Sequence, residues 1–125
     1  MKLIFVASPY AGNVKDNLKY AQGACRFVKD SGHAFFAPHL LYPKVLRNRD
    51  QGDRQAGLDM ALDMLRRCDE LWAFGVVISD EMRIELNEAT KLDMPIKHFV
   101  LYDNSGKWPR MIQPSWKKAA KLVSA

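Results

Sequence analysis

The chain has 125 residues, 48% of them hydrophobic and 26% charged, and a formal net charge of +5. That is enough apolar material for one domain with its own core and no disulfide or metal staple; no run approaches the roughly 20 apolar residues of a membrane span, and "MKLIFVASPY" turns polar too early for a signal peptide, so a cytoplasmic protein is expected. Ten of the fourteen acidic residues lie between Asp50 and Glu88 while Lys107, Arg110, Lys117, Lys118 and Lys121 crowd the tail; with no RNP-like, helix-turn-helix or zinc-finger spacing, this distribution argues against a nucleic-acid partner.

Lys2 to Ala7, "KLIFVA", is a branched and aromatic run that ends in Ser8-Pro9-Tyr10-Ala11-Gly12-Asn13, a strand entering a loop. Asn13 is placed to cap a helix whose apolar positions Val14, Leu18, Ala21, Cys25 and Val28 recur every three or four residues up to Ser31-Gly32. "HAFFAP", His33 to Pro38, reads as a second strand and completes a βαβ unit. Leu40 to Gly57 loses all periodicity and is expected to be a long loop, functional or mobile, with room for a helical turn. Helical spacing returns at Leu58, Ala61, Leu62 and Leu65; "ELWAFGVVI", Glu70 to Ile78, is a third strand. Ser79 to Leu92 is a helix with Pro95 at its exit, "IKHFVLY" a fourth strand, and "SWKKAAKLV" a short terminal helix. The alternation predicts a single α/β domain, a parallel flavodoxin- or Rossmann-like sheet with helices on both faces.

In open sheets of this kind ligands bind beyond the carboxyl ends of the strands. Ser8 to Asn13, the loop after Pro38, and Gly75 to Met82 should therefore converge. Gly75 stands where backbone or ligand approaches closely, and Ser79 can cap a helix whose N-terminus suits a polar or anionic ligand, or be a simple cap with Met82 in the capping-box position. Glu85 lies beside the inward stripe Met82, Leu86, Ala89 and Leu92, where a carboxylate needs a partner or a chemical role. Cys25 and Cys68 read as reduced core thiols, and His33, His39 and His98 lack metal-ligand spacing, so neither a metal nor a cofactor is expected. His39 is the histidine placed near a ligand, and Arg47, Arg49 and Arg54 could close over one.

"FVASPYAGN", "FFAPHLLYP", "GLDMALDMLRRCDELWAFG" and "ISDEMRIELNEA" resemble, in order, successive blocks of the nucleoside 2-deoxyribosyltransferase-like family, particularly a small bacterial and phage branch, over about Lys2 to Val100. The resemblance implies a flavodoxin-like sheet and N-glycosidic bond chemistry in one domain spanning residues 1–125, with the sugar's anomeric carbon attacked by a Glu that falls here on Glu85. It implies a second carboxylic acid on the preceding helix, Asp59 ahead of Asp63, with Tyr10 close to the nucleophile and Ser8, Pro9, Gly12, His39, Gly75, Ser79 and Met82 around the substrate. Related chains carry glycine before the Met, where this one has Asp80-Glu81, which opposes a phosphate at that helix terminus and favours an uncharged nucleoside. Hydrolase and transferase, ribose and deoxyribose all remain open, as does a noncatalytic nucleotide-sensing module or a protein acting through its basic tail. The resemblance also implies a homo-oligomer, to which Trp108, Met111, Ile112 and Trp116 add an apolar hint.

Overall fold

A computed structural model describes residues 1–47 and 49–101, and the backbone of residues 109–111. Its elements are β1 (Leu3–Ala7), α1 (Val14–Asp30), β2 (Ala34–Phe36), α2 (Pro38–Leu41), a 3-10 turn (Tyr42–Lys44), α3 (Gln51–Arg66), β3 (Glu70–Phe74), α4 (Asp80–Lys91), β4 (Ile96–Leu101) and β5 (Pro109–Met111). The sheet order is β2-β1-β3-β4-β5. The first four strands are parallel, and β5 joins β4 antiparallel at the edge. The α/β architecture expected from the sequence is thus present, with one added strand.

Side-chain alternation along the strands builds two cores. Phe5 and Ala7 of β1 and Leu71 and Ala73 of β3 face Ala61 and Leu65 of α3 and Met82, Leu86 and Ala89 of α4. Ile4, Val6, Trp72 and Phe74 face the other way, onto Ala24, Cys25 and Val28 of α1. With period-2 residues dividing between the faces, helices cover the sheet on both sides. Phe27 of α1 adds aromatic contacts to Trp72, Phe74 and Phe99 at centroid distances of 5.6, 6.2 and 4.9 Å. Cys25 and Cys68 are free and buried, and burial pushes their thiols up to about 12 and about 11.

The caps follow the sequence. Asn13 accepts from the Asp16 N–H and Ser79 from the Met82 N–H. The loop expected over Leu40–Gly57 is instead largely ordered, because Pro38 occupies the first turn of α2 and Asp50 caps α3 through the N–H groups of Gly52 and Asp53. The glycines at 52 and 57 conceal this start, since both are poor helix formers.

The third strand stops at Phe74 rather than Ile78, for Gly75 has φ +112° and reverses the chain, leaving Val76 and Val77 exposed. Leu92 is 43% exposed because α4 ends at Lys91, which removes it from the inward stripe. The expected terminal helix lies outside the described residues, as do Trp108, Ile112 and Trp116; Met111 is described only as backbone in β5.

A Cβ at Gly75 would meet only Pro9 Cδ at 3.8 Å and Val77 O at 3.9 Å, so space is adequate and the backbone angle alone opposes a side chain. Gly75→Ala is expected to lower unfolding free energy by about 1 kcal/mol, read from urea denaturation, with an unchanged transition midpoint counting against the strain argument.

Candidate functional site

The connection from β1 leads outward to β2, whereas β3 continues to β4 on the other side. The carboxyl ends of β1 and β3 therefore flank the topological switch point of the sheet, where a crevice opens. Three segments meet there. After β1, Ser8 is buried and Tyr10 follows in a loop pinned by Asn17, whose Nδ2 donates to the carbonyls of Tyr10 at 3.0 Å and Ala11 at 2.9 Å. After β2, α2 presents His39. After β3, the bend at Gly75 is held by His98, whose Nε2–H donates to the Gly75 carbonyl, and the chain enters α4 with Glu81 and Glu85 one turn apart on one face.

Together these segments and α3 enclose a cleft of about 600 Å³, counting its solvent-open mouth. Pro38, Tyr42, Pro43, Leu46, Leu58 and Ala61 form an apolar wall; Tyr10, His39, Arg47, Asp53, Arg54, Glu81 and Glu85 provide polar groups. Gly57 lets the Tyr42–Arg47 segment lie against α3, for a Cβ there would stand 3.1 Å from Leu46 Cδ1. Asp53 Oδ2 accepts from the Arg47 N–H at 2.7 Å and fixes the same end of that segment. Tyr10 and His39 stack, with centroids 5.2 Å apart and planes 21° apart.

Glu85 is 2% exposed, and its Oε1 has no hydrogen-bond partner. Burial, and secondarily the charge of Glu81, hold its carboxyl well above the ordinary 4.5 and favour its protonated form. His39 Nε2 also lacks a hydrogen-bond partner and lies 3.6 Å from Glu81 Oε2, too far for a hydrogen bond but close enough for charge pairing. Burial lowers the imidazole's affinity for a proton, and Glu81 opposes that shift. Among the described residues, the buried side-chain polar atoms without partners are Ser8 Oγ, His39 Nε2 and Glu85 Oε1. All three belong to segments at the carboxyl end of the sheet. Buried polar atoms are normally satisfied, and two of these three, His39 Nε2 and Glu85 Oε1, belong to residues that line the cleft.

Of the residues singled out from the sequence, Tyr10, His39 and Glu85 line the cleft. Ser8, Pro9, Gly75 and Ser79 occupy the adjoining strand ends, Met82 is wholly buried beneath them, and Gly12 turns an exposed loop beyond Tyr10. Asp59 does not line the cleft: it is exposed on α3 and accepts from Gln55 Nε2 at 2.9 Å. Asp63 also points away and pairs with Arg67 at 2.9 Å. The α3 carboxylate that does line the cleft is Asp53, one turn into a helix that begins earlier than its apolar period suggests. The spacing Asp50-x-x-Asp53, a cap followed by an acidic first turn, was the available signal. Arg47 and Arg54 line the cleft from the segment expected to close over a ligand, whereas Arg49 does not. Among the described residues no group of three His, Cys, Asp or Glu is placed to hold a metal ion, and no helix is long and apolar enough to cross a membrane.

A family model described as a domain of unknown function, DUF7768, matches residues 2–99. The chain belongs to the DUF7768 family. The match takes in β1 through most of β4, and with them each residue that lines the cleft. Among solved structures, this DUF7768 chain is similar to a 2-deoxyribosyltransferase from the psychrotolerant bacterium Bacillus psychrosaccharolyticus, with a TM-score of 0.65 and 21% identity, covering 78% of this chain and 72% of that one. It is also similar to a 2-desoxiribosyltransferase from Leishmania mexicana, with a TM-score of 0.59 and 19% identity, covering 80% of this chain and 65% of that one. Among curated proteins none matches the sequence significantly. The DUF7768 chain therefore has the fold of the 2-deoxyribosyltransferases, and at these identities the likeness extends to the fold alone.

Proposed function

We propose that this chain cleaves or transfers at the N-glycosidic bond of a nucleoside or nucleotide, with Glu85 as the nucleophile. One observation carries the reading: a fully buried carboxyl with an unpartnered oxygen lines a cleft at the switch point of a fold shared with two 2-deoxyribosyltransferases. Glu85 in its ionised form attacks the anomeric carbon while the bond to the base breaks. A neighbouring negative charge stabilises the oxocarbenium-like transition state, and a glycosyl ester on Glu85 results. Water or a second base then attacks the same carbon and releases the carboxylate. The wall of Pro38, Tyr42, Pro43 and Leu46 offers a planar base an apolar surface.

The charges of the cleft favour an uncharged nucleoside over its monophosphate. Arg47 and Arg54 are offset by the carboxylates of Asp53 and Glu81. The first turn of α4, where a helix terminus would otherwise attract a phosphate, carries Asp80 and Glu81. The test is chromatographic detection of free base from deoxynucleosides, ribonucleosides, their monophosphates and NAD, with and without an acceptor base. Release from a nucleoside that disappears in Glu85→Gln is expected. Binding of a nucleoside by calorimetry, with no base released on long incubation, would instead favour a sensing module that uses the protonated Glu85 as a hydrogen-bonding group.

A further inference from the structure

The proposed displacement needs Glu85 as a carboxylate and a proton on the departing base, yet burial with no partner for Oε1 favours a proton on Glu85. The two needs are met at once if that proton crosses the cleft. His39 is the group positioned to take it. Its side chain is 12% exposed, Nε2 has no hydrogen-bond partner, and the ring is held in place by the stack on Tyr10. Glu81 acts on both: its Oε2 is 3.6 Å from His39 Nε2, and it precedes Glu85 by one turn of α4, near enough for its charge to raise the Glu85 carboxyl.

We infer, resting on the reading of Glu85 above, that His39 is the catalytic residue that protonates the leaving base, receiving its proton from Glu85 through the Glu81 carboxylate. In the first half-reaction the Glu85 proton passes by way of Glu81 to Nε2, which leaves a Glu85 carboxylate and an imidazolium. The carboxylate forms a bond to the anomeric carbon as the carbon–nitrogen bond breaks. Its electron pair goes to the base nitrogen, which takes the proton from Nε2. In the second half-reaction neutral His39 removes a proton from water, the hydroxyl oxygen bonds to the anomeric carbon, and the ester bond breaks with its electrons returning to Glu85. The proton on His39 then goes back through Glu81. The same route serves an acceptor base that must lose a proton as it attacks.

The other ionisable groups of the cleft bear on this transfer with both signs. Tyr10 stacks on the ring; Tyr42 and Arg47 come from the 3-10 turn and the loop after it; Asp53 and Arg54 come from α3. Burial disfavours an imidazolium at His39, and among these groups Glu81 favours it. Glu81 is a positioning residue, and its carboxylate is 63% exposed, so its replacement leaves the core untouched.

The deciding experiment compares 2′-deoxyadenosine, whose base departs poorly without a proton, with a 4-nitrophenyl 2-deoxyriboside, whose phenolate departs without one. Single-turnover rates are measured for the wild type, His39→Gln, His39→Asn and Glu81→Gln. The His39 variants are expected to lose about 10²–10³-fold on the nucleoside and only a few-fold on the nitrophenyl substrate. Glu81→Gln is expected to move the alkaline limb of kcat to lower pH, because the imidazolium loses its countercharge. A wild type that cleaves both substrates, with His39 variants slowed equally on both or on neither, overturns the role of His39 and leaves Glu85 as nucleophile. An unshifted limb in Glu81→Gln, a variant that does not threaten the fold, overturns the relay even if the His39 variants are unstable. A wild type inert on both substrates overturns the glycosyl-transfer reading and this inference with it.

Discussion

Glu85→Gln is expected to eliminate base release, by on the order of 10³-fold or more, and to make the protein more stable at neutral and alkaline pH. Both effects have one cause. The native carboxyl is buried without a partner for Oε1 and holds its proton well above the ordinary 4.5. As pH rises past 4.5 the unfolded chain releases that proton while the folded chain keeps it. Stability from this group is therefore complete below 4.5 and is lost until the pH reaches the folded value, by about 1.4 kcal/mol per unit. Glutamine has nearly the same shape and no proton to release, so the variant lacks this slope. The difference in unfolding free energy between variant and wild type should grow with pH from 4.5 and then level off. Urea denaturation across pH, with both proteins followed side by side, measures it. A variant that is less stable at every pH by a constant amount would mean that Glu85 has a structural partner. A carboxyl with an unpartnered oxygen on the buried face of α4 is hard to account for by folding alone.

Much of this was legible in the residues, and what was not has identifiable causes. The strand–helix alternation of Lys2 to Phe36 and the caps at Asn13 and Ser79 depend on local chemistry, and they stand in the structure as read. Glu85 could be suspected because its neighbours Met82, Leu86 and Ala89 define a buried face. The far wall of the cleft was hidden. Gly52 and Gly57 break the helical period, so α3 reads as beginning at Leu58 instead of Gln51, and Asp53 of its first turn falls in the expected loop. The pairing of His39 with Glu81 joins residues 42 positions apart and depends on the parallel pairing of β1 with both β2 and β3, which no local pattern encodes. The early end of β3 turned on one backbone angle at Gly75, where "FGVVI" looks apolar throughout.

The opposite end of the sheet carries a second buried carboxylate, and its replacement is expected to have the opposite effect. Glu70 opens β3 beside Ile4 of β1, and its side chain is 6% exposed. Lys2 Nζ donates to its Oε2 at 2.8 Å and Trp72 Nε1 to its Oε1 at 2.9 Å, while Lys97 Nζ is 3.6 Å from Oε1 and 5.2 Å from the Trp72 ring centroid. Burial pushes this carboxyl up, but the bonds from Lys2 and Trp72 and the charge of Lys97 outweigh it, so its pKa lies below the ordinary 4.5. Glu70→Ala should cost about 2 kcal/mol, the lower part of the range for a buried charged partner because the two lysines are half exposed and screened. Glu70→Gln, which keeps an acceptor for the indole N–H, should lose about half as much. With a depressed folded value the sign reverses: the Glu70 contribution is complete above 4.5 and is lost as pH falls through the folded value. Both substitutions should therefore flatten the acid limb of the stability curve and leave the alkaline limb to Glu85. An acid limb unchanged in Glu70→Gln would show that the lysines do not hold the carboxylate. One sheet thus binds its amino-terminal edge with a satisfied carboxylate and leaves an unsatisfied one at its carboxyl edge, where a substrate would complete it.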